Sequence, residues 1–125
     1  MIKYLLVGAG GFAGAISRYV VSGMVNRWFG IAFPMGTLAV NALGSFVLAF
    51  LLTFLMERAL AGPQLRLFWA VGFLGAFTTF STFAYETDVL AREGSLAMAS
   101  LNIVANVIAA LAAVRVGIWL QRAIG

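Results

Sequence analysis

Residues 72–86 read GFLGAFTTFSTFAYE, and this stretch decides how the rest of the chain is organised. It lies inside a long apolar run, yet it holds two glycines and four serine or threonine residues. Serine and threonine side chains bond to nearby backbone groups and so compete with the helical ladder. We therefore predict a transmembrane helix that breaks or bends between Gly75 and Thr79. Non-helical backbone at that depth must be buried by protein or reached by water.

The composition indicates a membrane protein. Of 125 residues, 63% are hydrophobic and 10% are charged, whereas about a quarter are charged in a soluble domain. One spanning helix needs roughly 20 apolar residues, so we place four spans at about residues 4–24, 33–56, 67–85 and 96–120. The predicted fold is an all-α membrane protein, a single four-helix domain over residues 1–125 with both termini on one side. The N-terminal apolar run is interpreted as the first span, uncleaved.

Two polar side chains are expected at membrane depth. Arg18, in the first span, would cost a few kcal/mol at a helix centre and less near an interface. It either snorkels to the headgroups or faces a water-filled vestibule, where it raises the local anion concentration. Asn41 shares one face of the second span with Thr37, and its carboxamide must find partners. It either bonds to another helix or presents an amide N–H to a passing anion.

The stretch at 72–86 favours a conduit, because neutral hydroxyl and amide groups can replace an ion's hydration without trapping it by full charge. Phe80 and Phe83 are three residues apart and share a helix face. A ring edge would stabilise a small anion and a ring face a cation; simple aromatic packing is the alternative. Carbonyl groups near Gly75 and Thr78 could hold a buried cation such as Na⁺ at a dimer axis. Alternatively, neighbouring side chains form hydrogen bonds with the backbone groups that the bend leaves unpaired.

Other function classes are disfavoured. The chain has no cysteine and no histidine, which removes thiolate and imidazole metal sites and histidine acid–base chemistry. Its four acidic residues cluster near the predicted membrane edges and form no pair within a span. We therefore predict that the protein is not an enzyme. No basic cluster exists to neutralise phosphates, so nucleic acid is not an expected partner.

The distribution of basic residues sets the orientation only weakly. Four basic residues are predicted on the side of the termini and two on the opposite side: Lys3, Arg58, Arg66 and Arg122 against Arg27 and Arg92. A chain with so small a bias could insert both ways, and oppositely oriented copies could then pair as an antiparallel dimer.

Three blocks of sequence together resemble the Fluc (CrcB-type) fluoride channels over essentially the whole chain. They are GGFAGAISRY at residues 10–19, GTLAVNALGS at 36–45 and the stretch at 72–86. The resemblance implies a dual-topology antiparallel homodimer with two pores in a bacterial-type cell inner membrane. Each pore would export fluoride passively and confer fluoride resistance.

The resemblance also implies roles for individual residues. The implied pore residues are the phenylalanines Phe80 and Phe83, the asparagine Asn41, the hydroxyl track Ser81, Thr82 and Thr37, and Asn106 on the fourth span. Gly75 and Thr78 match positions whose backbone carbonyls hold a central structural Na⁺. Arg18 resembles the arginine of the vestibule.

Two rivals remain. A small multidrug-resistance exporter has a similar length, four spans and antiparallel pairing, but it needs a carboxylate in the first span. This chain has Arg18 there and no acid. A non-conducting assembly subunit would use its small-residue seams, such as Gly10 and Gly14, only to bind other membrane proteins.

Overall fold

The computed structural model describes residues 1–57 and 62–124, and those residues form helices joined by short connections. Six α-helices and one π-helical segment follow in order: α1 Ile2–Phe29, α2 Met35–Glu57, α3 Pro63–Arg66, the π-helical segment Leu67–Leu74, α4 Gly75–Phe77, α5 Phe80–Arg92 and α6 Leu96–Ile124. Arg58, which we counted when predicting the orientation, lies outside the described residues, as does much of the polar connection around it.

Among residues 1–57 and 62–124, four helical stretches are long and apolar enough to cross a membrane: Ile2–Phe29, Met35–Glu57, Pro63–Arg92 and Leu96–Ile124. The shortest has 23 residues and would reach about 35 Å at 1.5 Å per residue, more than the roughly 30 Å core of a bilayer. Most large apolar side chains point outward, as in Phe12 and Leu111, which suits contact with lipid. The protein is therefore an all-α, multi-pass membrane protein.

The third span has an irregular course. After α3 the chain runs as a π-helix through Leu67–Leu74, and α4 then ends at Phe77. Thr78 and Thr79 have extended backbone angles, with φ and ψ of −81° and 159° and of −151° and 118°. The predicted break is present at these two residues, whereas Gly75 remains helical, with φ −61° and ψ −34°.

Small residues set the packing of α1 against the π-helical segment. A Cβ atom added at Gly10 would overlap the carbonyl oxygen of Phe68, and one added at Gly14 would overlap that of Phe73. The two backbones are thus in direct contact, as the small-residue spacing of Gly10 and Gly14 predicted. This contact positions Arg18, one helical turn after Gly14, next to the break.

Another close helix pair is α2 with α6. A Cβ atom at Gly117 would lie 2.6 Å from the carbonyl oxygen of Phe46, so these backbones also touch. A short turn joins α5 to α6, with Gly94 at φ 88° and the Ser95 hydroxyl accepting a bond from the Met98 N–H at 3.3 Å. The third and fourth spans are therefore antiparallel neighbours, and α2, α5 and α6 surround the break.

Candidate functional site

Asn41 pairs with the backbone of Thr79 much as a second peptide group would. Its Oδ1 accepts the Thr79 N–H at 2.8 Å, and its Nδ2 donates to the Thr79 carbonyl at 3.1 Å. The same nitrogen donates to Asn106 Oδ1 at 3.1 Å. Both hydrogens of the Asn41 amide are thus used, and the interhelical bonding that was one expectation for Asn41 is present. An anion would meet this amide only by displacing one of these acceptors.

Arg18 turns inward to the same break. Its Nη1 donates to the carbonyl oxygen of Thr78 at 3.3 Å, across 60 residues of sequence. The Thr78 N–H and hydroxyl both donate to the Leu74 carbonyl at 3.1 Å. The guanidinium therefore contacts protein within the first candidate span and supplies a positive charge beside the break.

The pairing of Thr79 with Asn41 also affects the carbonyl group of Gly75. In a continuous helix the Thr79 N–H would donate to the Gly75 carbonyl, four residues earlier. Here that N–H is donated to Asn41 instead, so the Gly75 carbonyl loses its helical partner. Gly75 is exposed on the surface of the chain. A carbonyl without its usual helical donor therefore belongs to an exposed residue.

The helix after the break begins with a hydroxyl cap. Thr79 Oγ1 accepts the Thr82 N–H at 3.2 Å and donates to Thr82 Oγ1 at 2.9 Å. Ser81 Oγ lies 3.4 Å from the same Thr79 oxygen. Threonine is a favoured residue at this capping position. The hydroxyl groups of Thr79, Ser81 and Thr82 thus form one cluster around the capping residue Thr79.

One recess beside the break, here called the phenylalanine recess, has a volume of about 290 Å³. Its lining residues are Asn41, Ser45, Leu48, Thr78, Thr79, Phe80, Phe83, Asn106, Val107 and Ala110. The ring centroids of Phe80 and Phe83 lie 5.4 Å apart with the rings inclined at 59°. Phe83 is 8% exposed and Phe80 is 78% exposed. One wall of the recess is therefore open to the surroundings of the chain.

A second recess, here called the arginine recess, lies on the other side of Thr79 and has a volume of about 350 Å³. Its lining residues are Ala15, Arg18, Tyr19, Ser22, Gly23, Asn26, Thr37, Val40, Thr79 and Thr82. The Thr37 hydroxyl donates to Glu86 Oε1 at 2.9 Å. Thr79 is the residue shared by the two recesses, so its pairing with Asn41 forms the partition between them.

The predicted site residues thus fall into two groups that meet at the break. The phenylalanine recess contains Asn41, Thr78, Phe80, Phe83 and Asn106, and the arginine recess contains Arg18, Thr37 and Thr82. Ser81 is exposed and lines neither recess, although its hydroxyl approaches Thr79. Gly75 lies outside both recesses, on the surface.

Sequence reasoning did not assign a role to Thr79 or to Asn102. Asn102 is fully buried, accepts a bond from Asn106 Nδ2 at 2.9 Å and donates to Thr87 Oγ1 at 2.8 Å. It extends the polar chain from Asn41 toward the end of α5. Its spacing of four residues from Asn106 was the signal that could have identified it.

The site offers hydroxyl and amide groups, two phenylalanine rings and one guanidinium. Within residues 1–57 and 62–124, no group of three or more Asp, Glu, His or Cys side chains could hold a metal ion. The backbone carbonyls that the sequence predicted as cation ligands are those of Gly75, three residues before the break, and of Thr78, within it. An anion would meet neutral donors. The arrangement therefore suits reversible passage of a small ion better than tight binding or catalysis.

Comparison with known proteins agrees with this assessment. The family described as CrcB-like protein, Camphor Resistance (CrcB), matches residues 5–118. A protein of Methanocaldococcus jannaschii is 52% identical over 122 residues, 98% of this chain and 96% of its own length. A protein of Hydrogenovibrio crunogenus is 44% identical over 119 residues, 95% of this chain and 90% of its own length.

A third relative, from Geotalea uraniireducens, is 43% identical over 124 residues, 99% of this chain and 100% of its own length. All three are named fluoride-specific ion channel FluC. Ion channels are not enzymes, in agreement with the prediction from the sequence. With its spans, its broken third helix and these similarities over nearly its whole length, the chain belongs to the CrcB family.

Proposed function

We propose that this protein is a passive, fluoride-selective channel that exports cytoplasmic fluoride across a bacterial-type cell inner membrane and so confers fluoride resistance. The observation that carries the proposal is the phenylalanine recess. Neutral donors and two phenylalanine rings meet there at membrane depth, in a chain whose relatives are named fluoride channels. Fluoride is small and strongly hydrated, and hydroxyl, amide and ring-edge groups can replace its water without a trapping charge.

The proposed pathway uses both recesses. Arg18 would raise the anion concentration at the entrance, and Thr37 and Thr82 would supply hydroxyl groups beyond it. Phe80 and Phe83 would present their ring edges on the far side of Thr79. Asn41 and Asn106 would contribute amide groups there, and Ser81 would complete the hydroxyl track. Because threonine hydroxyls rotate at little cost, the cluster around Thr79 can redirect a donor toward an ion without moving the backbone.

The working unit is proposed to be an antiparallel, dual-topology homodimer. The support is the open wall of the site: Phe80 is 78% exposed and Gly75 lies on the surface. The two residues flank the break, so a second copy crossing at this point would cover them together. A weak charge bias between the two ends of the helices is compatible with insertion in both orientations.

A structural Na⁺ is proposed at the centre of that dimer. The fitting donors are the carbonyls of Gly75 and Thr78, because pairing of Asn41 with Thr79 deprives the first of its helical partner. Backbone carbonyls are hard oxygen ligands suited to alkali cations. The Arg18 guanidinium also bonds the Thr78 carbonyl, so this residue would help to fix the oxygen in place. The cation would join the two breaks and take no part in fluoride movement.

A passive pore is sufficient for export. Hydrofluoric acid is neutral, crosses the bilayer and ionises inside the cell. The membrane potential then favours exit of the anion by about 2.3 kcal/mol per 100 mV. A narrow path with fixed donors would exclude chloride, which is larger.

Efflux from liposomes tests the proposal. Purified protein is reconstituted into vesicles loaded with potassium fluoride or potassium chloride, and release is followed with ion-selective electrodes after valinomycin is added. We expect rapid loss of fluoride and retention of chloride. Absence of flux of either ion, from protein shown to be dimeric, would contradict the channel and favour the assembly subunit. Drug uptake into the vesicles that depends on a proton gradient would favour the small multidrug-resistance exporter.

A further inference from the structure

A second charged site lies on the outer face of α6, far from the break. Arg115, Ile118, Trp119 and Arg122 line a shallow recess of about 370 Å³. Their spacings of three, four and seven residues place them on one helix face. Gly117 and Gln121, by contrast, are buried on the opposite face, which packs toward α2. The recess therefore faces away from the helix bundle.

The two arginines are not equivalent. Arg122 Nε donates to Glu57 Oε1 at 3.0 Å, which fixes the guanidinium beside α2 and leaves its terminal nitrogens available. Arg115 is exposed and has no hydrogen-bond or ion-pair partner among residues 1–57 and 62–124. Trp119, which is 68% exposed, lies between them and offers an indole N–H. The recess thus presents uncompensated positive charge and several donors.

The depth of Arg115 makes its charge costly. α6 has 29 residues and would span about 43 Å, against about 30 Å for the apolar core. A centred α6 would hold the Arg115 backbone about 7 Å inside that core. Side chains in a helix lean toward its N-terminus, here toward the middle of the bilayer. An arginine placed there is stabilised by an anion that reaches down from the headgroup layer.

An apolar stripe leads away from the recess along the same face. Leu101, Val104, Ile108 and Leu111 are all exposed and follow the same alternation of three and four residues. The face of α6 therefore matches the two parts of a phospholipid, the headgroup and the acyl chain, in the order in which they occur across a membrane. A donor-rich end lies near the membrane boundary, and an apolar track runs toward the bilayer centre.

We propose that this face of α6 is a binding site for an anionic phospholipid. Its phosphate would contact Arg115 and Arg122, and the Trp119 indole would donate to the headgroup. An acyl chain would lie along the stripe that ends at Leu111. A lipid is favoured over free phosphate because the unpaired guanidinium is held by an apolar helix face and not by a polar pocket. The proposal does not depend on fluoride conduction.

Native mass spectrometry of the detergent-solubilised protein tests it. Phosphatidylglycerol and phosphatidylcholine are titrated separately, and the dissociation constant of the first bound lipid is measured. Each arginine near anionic lipid is worth about a factor of five, so Arg115→Gln together with Arg122→Gln should weaken phosphatidylglycerol binding about thirtyfold. The matched control is Arg92→Gln, since Arg92 is an exposed arginine on another helix and is already paired with Asp88 at 2.7 Å.

The outcomes separate the possibilities. Tighter binding of phosphatidylglycerol than of phosphatidylcholine, lost in the double variant and kept in Arg92→Gln, supports the proposal. Equal affinities of the two lipids for the unsubstituted protein overturn it, even if the double variant cannot be purified. Displacement of the lipid by inorganic phosphate would identify a free anion as the ligand. Variants that shift the monomer–dimer ratio but not lipid binding would assign the face to a second copy.

Discussion

Replacing Asn41 by alanine would remove the side chain that satisfies both backbone groups of Thr79. Thr79 is 8% exposed, so its N–H and carbonyl would be left with little access to water. The variant would also take away the donor that reaches Asn106. We expect the break to lose its fixed geometry, and both stability and fluoride flux to fall.

The size of the stability loss can be bracketed. Three hydrogen bonds at about 0.6 kcal/mol each, the average between membrane helices, give about 2 kcal/mol. Two buried backbone groups left unpaired at about 1–3 kcal/mol each give about 2–6 kcal/mol. Some water would enter the enlarged recess and reduce the upper value. We therefore expect the free energy of unfolding to fall by about 2–4 kcal/mol.

Equilibrium unfolding in mixed micelles of dodecyl maltoside and sodium dodecyl sulfate measures this change, and hydrogen exchange at the Thr79 amide reports on the break itself. The matched control is Ser45→Ala. Ser45 lies one helical turn after Asn41 and lines the same recess, but it has no hydrogen-bond partner among the described residues. We expect faster exchange at Thr79 in Asn41→Ala only. Equal stability and equal exchange in the two variants would refute the argument that Asn41 holds the break.

Phe80→Ile should lower fluoride flux at least tenfold with the dimer intact, because an aliphatic side chain has no electropositive ring edge. Phe29→Ile is the control. Normal fluoride flux in Phe80→Ile would show that Phe80 is not a pore residue. Gly14→Ala should lower the free energy of unfolding by about 1–3 kcal/mol, because the added methyl group forces α1 away from the Phe73 carbonyl. Gly8→Ala should not, because the space around Gly8 is open. Equal losses of stability in the two variants would contradict the close-packing argument. Replacing Na⁺ by N-methylglucamine on both sides of the vesicles should reduce fluoride flux, because the dimer would lose the cation that joins its two breaks. Flux that is independent of Na⁺ would oppose the proposed cation site.

Hydropathy is enough to predict four helices apolar enough to cross a membrane, because length and apolar character are local properties of the sequence. The break was also predictable to within a few residues, since adjacent threonines favour bonds that compete with the helix. The detailed form of the break could not be predicted from the sequence. Gly75 stays helical and the interruption begins at Thr78, next to Thr79, whose partner Asn41 is 38 residues away.

The orientation of Arg18 was likewise left open by the sequence. Its partner is a backbone carbonyl 60 residues later, and that carbonyl is free only because the helix ends there. Asn41 shows the same limit, because its choice between another helix and an anion depends on how α2 and the break are juxtaposed. Contacts between a side chain and distant non-helical backbone leave no periodic signal.

The π-helical segment Leu67–Leu74 has a consequence for how this protein tolerates insertions and deletions. A π-helix bonds residues five apart instead of four, so it absorbs an additional residue within an otherwise α-helical span. Deleting one residue there would let the ladder close as an α-helix and would change the rotation of the preceding residues relative to the break. The segment therefore sets the angle between the two ends of the third span. A change of chain length at this point would alter that angle while leaving the residues of both recesses unchanged.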